Sequence, residues 1–299
     1  MICGLFAVVS IACTPTAHRQ SAIATDNSIP AQVNRQVMLP PALAESSGLA
    51  CLSDDEFLTV NDSGNAATVY RFDASGTIIA QTKVPATNND WEALSIHQQH
   101  LVIADIGNNT GMRPEVSLLL MPFQAGKLDP AQLRTFNFRY KNSAAAVKPY
   151  QHNLDAEAIA SDGEYLWMFS KNWLADSSSV YRINVNESVT ELEAYSAISP
   201  IPGVITDAAF APDERIFVLV GYRNVAKEAL SFMFTQDYQP FILLADQHFQ
   251  ILKHHDLAGA GQVEAVCLRN GRIWLSQENS GVAAARFWSF STIRELLEP

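Results

Sequence analysis

Five stretches of this chain align with one another without a gap, and a chain built of repeats buries its apolar faces by stacking one unit on the next. They begin at Ser47, Trp91, Ala156, Thr206 and Val263 and read SGLACLSDDEFLTVND, WEALSIHQQHLVIADI, AEAIASDGEYLWMFSK, TDAAFAPDERIFVLVG and VEAVCLRNGRIWLSQE. The second column holds Gly48, Glu92, Glu157, Asp207 and Glu264. A second apolar run follows in each, from Phe57, Leu101, Leu166, Ile216 and Ile273, and it closes on Asn61, Asp105, Ser170, Val220 and Gln277. Four carboxylates therefore occupy equivalent points of a repeating unit.

Within a repeat, short period-two apolar runs alternate with Gly, Asn, Asp and Ser turns, which is the pattern of strands in an antiparallel sheet. The first repeat reads as four strands, at Gly48–Leu52, Phe57–Asn61, Thr68–Phe72 and Ile78–Val84. The third reads likewise, at Glu157–Ala160, Tyr165–Ser170, Ser179–Val185 and Thr190–Ser196. Four strands per unit, repeated at spacings of about 45 to 65 residues, describe an all-β protein, a β-propeller. The fifth repeat supplies only Val263–Leu268, Arg272–Gln277 and Ala285–Phe290 before the chain reaches Pro299. Val33–Leu39, ahead of the first repeat, is a spare strand that fills the gap and removes the open sheet edge. Five four-stranded blades closed by this N-terminal strand account for residues 33–299. A sixth blade needs a repeat hidden in 110–155 or 223–260, where Leu230–Phe234 and Phe241–Ala245 are the available apolar runs.

Residues 1–13 (MICGLFAVVSIAC) are almost wholly apolar, and residues 14–32 are a polar tether. This is the pattern of an export signal, and Ser10-Ile-Ala-Cys13 resembles the lipidation site of bacterial lipoproteins. The expectation is an outer-membrane lipoprotein or a periplasmic protein, touching the membrane only through a lipid on Cys13. No later apolar run is long enough to span a bilayer. With the signal removed, Cys51 and Cys267 remain. They fall at equivalent points of the first and last repeats, and are expected to be two small buried thiols, since equivalent inner strands usually stand too far apart for a disulfide.

In a propeller the start of the first strand and the end of the second lie at one mouth of the central channel. Glu92, Glu157, Asp207 and Glu264 are thereby expected to gather there with Asn61, Asp62, Asp105, Lys171 and Gln277. Tyr222, Arg223, Arg113, Trp91 and Trp173 stand around them, while His97 and His100 fall on the opposite face as surface residues. Converging carboxylates repel one another unless a cation sits among them. Oxygen ligands favour Ca2+ at Glu92, Asp105, Glu157, Asp207 and Glu264, and the absence of His and Cys from the column disfavours zinc. The other reading of the column is a set of hydrogen-bonded latches between blades, and the two can coexist. A net charge of −11 argues against a nucleic-acid partner. Walker, Gly-x-Ser-x-Gly, CxxC and HExxH motifs are all missing.

Glu45-Ser-Ser-Gly-Leu49, Asn61-Asp-Ser-Gly64, Asp90-Trp-Glu-Ala-Leu94, Ala104-Asp-Ile-Gly-Asn108, Asp155-Ala-Glu-Ala-Ile159 and Ser170-Lys171 resemble motifs of the SdiA-regulated and phytase-like esterase group of secreted bacterial propellers. The resemblance covers roughly residues 40–290. It implies an exported propeller with calcium in or near the channel, and some relatives are assigned phosphoesterase activity. The chain departs from the group at Gly48 and Val220. Two functions follow as expectations: a module that binds a divalent cation or small ligand at the channel mouth, or a metal-assisted hydrolase of a phosphoester or lactone. In the second, Glu157 or Asp105 acts as base, and Lys171 and Arg223 neutralise the substrate.

Overall fold

The computed structural model describes residues 35–141, 147–187, 190–224, 238–257, 259–280 and 283–298. The export signal, Cys13, the tether and Leu230–Phe234 lie outside them. The described chain forms five antiparallel sheets arranged in a ring, a five-bladed β-propeller. Blade one contains Ser46–Cys51, Glu56–Asn61, Thr68–Asp73 and Ile78–Lys83, from the axis outward. Blade two contains Trp91–His97, His100–Asp105, Val116–Gln124 and Arg134–Tyr140. Blade three contains Ala156–Ser161, Leu166–Ser170, Ser178–Ile183 and Ser196–Ile198. Blade four contains Val204–Ala211, Ile216–Asn224, Tyr238–Asp246 and Ile251–Asp256. The segments weighed for a sixth blade instead complete blades two and four.

Blade five takes Val263–Arg269, Arg272–Gln277 and Arg286–Thr292 from the C-terminal end, and Arg35–Met38 from the N-terminal end. The closing strand runs antiparallel to its partner, with Arg35 opposite Ser289 and Met38 opposite Arg286. One strand is placed differently from the sequence reading. The outer strand of blade three is Ser196–Ile198, whereas Glu191–Leu192 crosses over to pair in parallel with Arg139–Tyr140 of blade two.

Each blade is apolar on both faces, so the core is divided into five layers, one between every pair of neighbouring blades. The layer between blades five and one holds Phe57, Phe72, Trp274 and Phe287, with Trp274 and Phe287 stacked at 5.1 Å and Phe57 edge-on to Phe287 at 4.6 Å. Burying each such ring contributes on the order of 1.5–3 kcal/mol, and here that gain falls at the seam where the ring closes.

The same seam carries a Cys51–Cys267 disulfide, Cα to Cα 5.6 Å, which corrects the expectation of two free thiols. The inner strands crowd the axis more closely than that expectation allowed. A Cβ on Gly48 would sit 2.5 Å from the backbone nitrogen of Leu94 in the next blade. A cross-link between positions 216 residues apart restricts the unfolded chain strongly, by roughly 5 kcal/mol on the loop-entropy estimate.

Candidate functional site at the acidic channel mouth

Every inner strand carries a β-bulge near its start, and the bulged residue is the one left out of the ladder. Trp91 pairs with Asp105 and Ala93 with Ala104, so Glu92 is extruded. The same shift extrudes Glu157 in blade three and Glu264 in blade five. In blade one the extruded residue is Ser47, and in blade four it is Thr206. The ungapped alignment is therefore one residue out of step in two blades, whose hairpins are longer. Gly48 and Asp207 occupy the place that Ala93, Ala158 and Ala265 fill elsewhere. A bulge re-aims its side chain, and three of the five bulges aim a glutamate.

The two hydroxyls and Asp207 act as latches. Ser47 Oγ donates to the carbonyls of Trp91 and Glu92 at 2.9 and 2.8 Å. Thr206 Oγ1 donates to the carbonyl of Val263 at 2.8 Å. Asp207, fully buried, accepts the backbone N–H of Val266 at 2.8 Å. The column thus divides between the two roles that the sequence left open. Ser47, Thr206 and Asp207 tie blades together, while Glu92, Glu157 and Glu264 line a cavity.

That cavity holds about 160 Å³ and is lined by Asp62, Glu92, Glu157, Glu264 and Glu278, with Lys171, Tyr150, Trp173, Tyr222 and Tyr238 among its other walls. Three of these residues, Asp62, Lys171 and Glu278, follow immediately on the end of a second strand, and Tyr222 holds the equivalent position within the longer second strand of blade four. They form a second column, one step beyond Asn61, Ser170, Gly221 and Gln277. The sequence already places Asp62, Lys171 and Tyr222 at this mouth, and extending the same position to blade five adds Glu278.

Asp90, absent from the expected ligand set, sits beside Asp62 and Glu92, and one carboxylate oxygen from each lies within 4.8 Å of the others. Glycine at 107 makes the approach possible, because a Cβ there would overlap the Glu92 and Asp90 carboxylates. Glu92 is 7% exposed, and among the described residues its carboxylate accepts no hydrogen bond.

Other expected residues lie outside the cavity. Asp105 accepts from Arg113 Nη2 at 2.8 Å, from Asn89 Nδ2 at 2.7 Å and from the Asp90 N–H at 3.0 Å, so it braces the loop that presents Asp90. Arg223 is engaged by Asp256 at 2.8 Å and Gln239 at 2.7 Å, in a separate hollow. Asn61 donates to the carbonyl of Ala42 at 2.9 Å, and Gln277 accepts from Gly261 N–H at 2.6 Å. Trp91 belongs to the core between blades one and two. His97 is buried against Ser161 Oγ at 2.8 Å, not at the surface, because blade two packs its first hairpin on blade three. His100 is half-buried.

Charge is poorly balanced at this mouth. Lys171 is buried, pairs with Glu157, and lies 5.0 Å from the centre of the Trp173 ring and 5.4 Å from that of Tyr222. Burial opposes its charge, but Glu157 and the other acids hold its pKa well above the usual lysine value. Burial, then the negative charge of Asp62 and Glu157, pushes Glu92 well above the carboxylate range. Burial likewise raises Asp90 to about 6, reinforced by Asp62. It raises Glu264 to about 8, reinforced by Glu278, and Glu278 to about 7, reinforced by Asp62. Oxygen donors crowded at this density, with one lysine among them, suit a hard cation and stay protonated without one. Compared with known proteins, the chain matches no family model and no curated protein.

Proposed function

We propose that this propeller is a binding protein that holds a divalent cation of the calcium type at its acidic mouth, with Asp62, Asp90 and Glu92 as the oxygen ligands. The observation that carries this reading is Glu92: a buried carboxylate aimed into a cavity with no donor to it among the described residues, beside two further carboxylates. Desolvating an unpaired charge is costly, and a cation removes that cost. Glu157 and Glu264 contribute to the field of the site. Asp207 and Asp105, although expected as ligands, serve as a latch and a brace. Native-state binding raises the unfolding temperature. Calcium should therefore stabilise the wild type against a chelator control and leave Glu92→Gln unmoved. The same midpoint for wild type with and without calcium rejects the reading.

One observation favours a second reading, metal-assisted hydrolysis of a phosphoester or lactone: Lys171 faces the same cavity as the carboxylates. A bound cation would supply a polarised substrate oxygen and a more acidic water. Lys171 would bind the anionic group, and Glu157 would take the proton; Asp105 and Arg223, expected in these roles, have no place in the cavity. Calcium-dependent turnover of p-nitrophenyl phosphate or a simple lactone, lost in Glu157→Gln, supports it. No turnover leaves binding as the function.

We also place the protein outside the cytoplasm, held to the membrane by a lipid on Cys13. Support comes from the apolar run at 1–13 and from the Cys51–Cys267 disulfide, since structural disulfides persist in oxidising compartments. No helix among the described residues is long and apolar enough to cross a membrane. Wild type should partition into detergent and Cys13→Ser should not; equal partitioning rules the anchor out.

A further inference from the structure

We propose that the mouth contains a second cationic subsite, built by Glu264, Glu278, Tyr222 and Tyr238, that takes the primary ammonium group of a small organic ligand. The inference rests on the binding reading only in taking this cavity as a ligand site, because it uses carboxylates outside the Asp62–Asp90–Glu92 set.

Among the described lining residues, five are carboxylates and the single cationic side chain, Lys171, is already paired with Glu157. A divalent ion at Asp62, Asp90 and Glu92 still leaves Glu264 and Glu278 without a counter-charge. Glu264 accepts only from the neutral amide of Gln262, and the Glu278 carboxylate accepts no hydrogen bond among the described residues. Two half-buried acids lining one cavity call for a positive group among them.

Tyr222 points to the kind of group. It is 3% exposed and lines the cavity, yet its hydroxyl makes no hydrogen bond among the described residues. Lys171 Nζ lies 5.4 Å from the centre of its ring, and Glu157 and Glu264 line the same cavity. Its ring meets that of Tyr238 edge-on at 4.8 Å. A ligand N–H entering the cavity would donate to that hydroxyl oxygen.

The protein already shows how this mouth accommodates an ammonium. Lys171 sits against one carboxylate with the rings of Trp173 and Tyr222 within 5.0 and 5.4 Å. Glu264 and Glu278 with Tyr222 and Tyr238 offer the same set of groups, carboxylate plus aromatic ring, to a second nitrogen. A second calcium fits less well. That ion takes about 6–8 oxygens, whereas aromatic faces offer none and do stabilise organic cations. The cavity of about 160 Å³ has room for a short alkylammonium, roughly the space of five waters.

Calorimetric titration of the full chain with ethylamine, in calcium chloride and in chelator, tests the proposal. Ethylamine should bind under both conditions, and tetramethylammonium, which has no N–H, should bind more weakly. Glu278→Gln should weaken ethylamine roughly tenfold or more, the scale of a lost charge-assisted hydrogen bond, while calcium binding stays unchanged. Tyr222→Phe, which keeps the ring and its packing, should weaken ethylamine as well. Asp90→Asn should do the reverse, losing calcium and keeping the amine. The proposal is overturned if wild type binds no ethylamine, if calcium and ethylamine exclude one another, or if neither Glu278→Gln nor Tyr222→Phe affects the amine. Ethylamine binding without any calcium response would instead count against the cation reading alone.

Discussion

At the scale of single residues, the site depends on how closely side chains approach backbone. Gly107 packs directly against the carboxylates of Asp90 and Glu92, and a methyl group there has no room. Gly107→Ala should therefore displace both acids and weaken calcium binding by about tenfold or more, the loss expected from misplacing a charged ligand. The disulfide and the closing strand lie elsewhere, so the fold should persist; circular dichroism beside a calcium titration separates the two effects. Asp207 gives the opposite case. It accepts one backbone N–H from the next blade, so Asp207→Ala should destabilise by about 1–3 kcal/mol, the cost of leaving a buried donor unpaired. Calcium affinity should not change. A lost calcium response in Asp207→Ala, measured by titration of the folded variant, would return that residue to the ligand set.

At the scale of elements, strand alternation and turn residues made the five blades legible, down to most strand boundaries. The bulges were not legible. Serine and threonine at Ser47 and Thr206 look unlike glutamate, so an ungapped alignment preferred Gly48 and Asp207, and in blade four it took an inter-blade latch for a cavity residue. Asp62 is expected at the mouth from the sequence, and the same position in blade five, one step past the strand end, adds Glu278. Tyr238 comes from a third strand, where no repeat announces it, whereas Asp90 holds a place two residues ahead of the bulge that Glu45 and Asp155 repeat. Blade three shows a limit of another kind. Glu191–Leu192 reads locally as part of its outer strand, yet pairs with blade two, because propensity does not choose between two nearby edges. The closing strand supports a direct prediction. Deleting residues 1–42 should strip Arg35–Met38 from blade five and lower the melting temperature by several degrees, since each 1 kcal/mol is worth about 2–4 °C for a domain somewhat smaller than this one. Deleting 1–28 should change it little. Equal midpoints would deny the strand its part in closure.

At the scale of the whole molecule, the ring is fastened at one seam by a strand, an aromatic cluster and a disulfide, and opens its acids at one mouth. Glu264, Glu278 and Asp90 have folded-state pKa values of about 8, 7 and 6, all above their ordinary values of 4.5, 4.5 and 3.8. The folded state thus holds protons that the unfolded chain has already released. Stability of the cation-free protein should fall as pH rises from about 4 to 8, and calcium should flatten that decline; melting curves across this range check both. A pH-independent midpoint would contradict the charge crowding on which the site depends. The central claim, that a divalent cation sits among these acids, is tested most directly by titrating calcium into metal-free protein at pH 6.5 in two buffers of different ionisation enthalpy. Saturable binding accompanied by proton release is expected, because the incoming cation displaces protons from its carboxylates. Absence of binding, or binding with the same heat in both buffers, would contradict it.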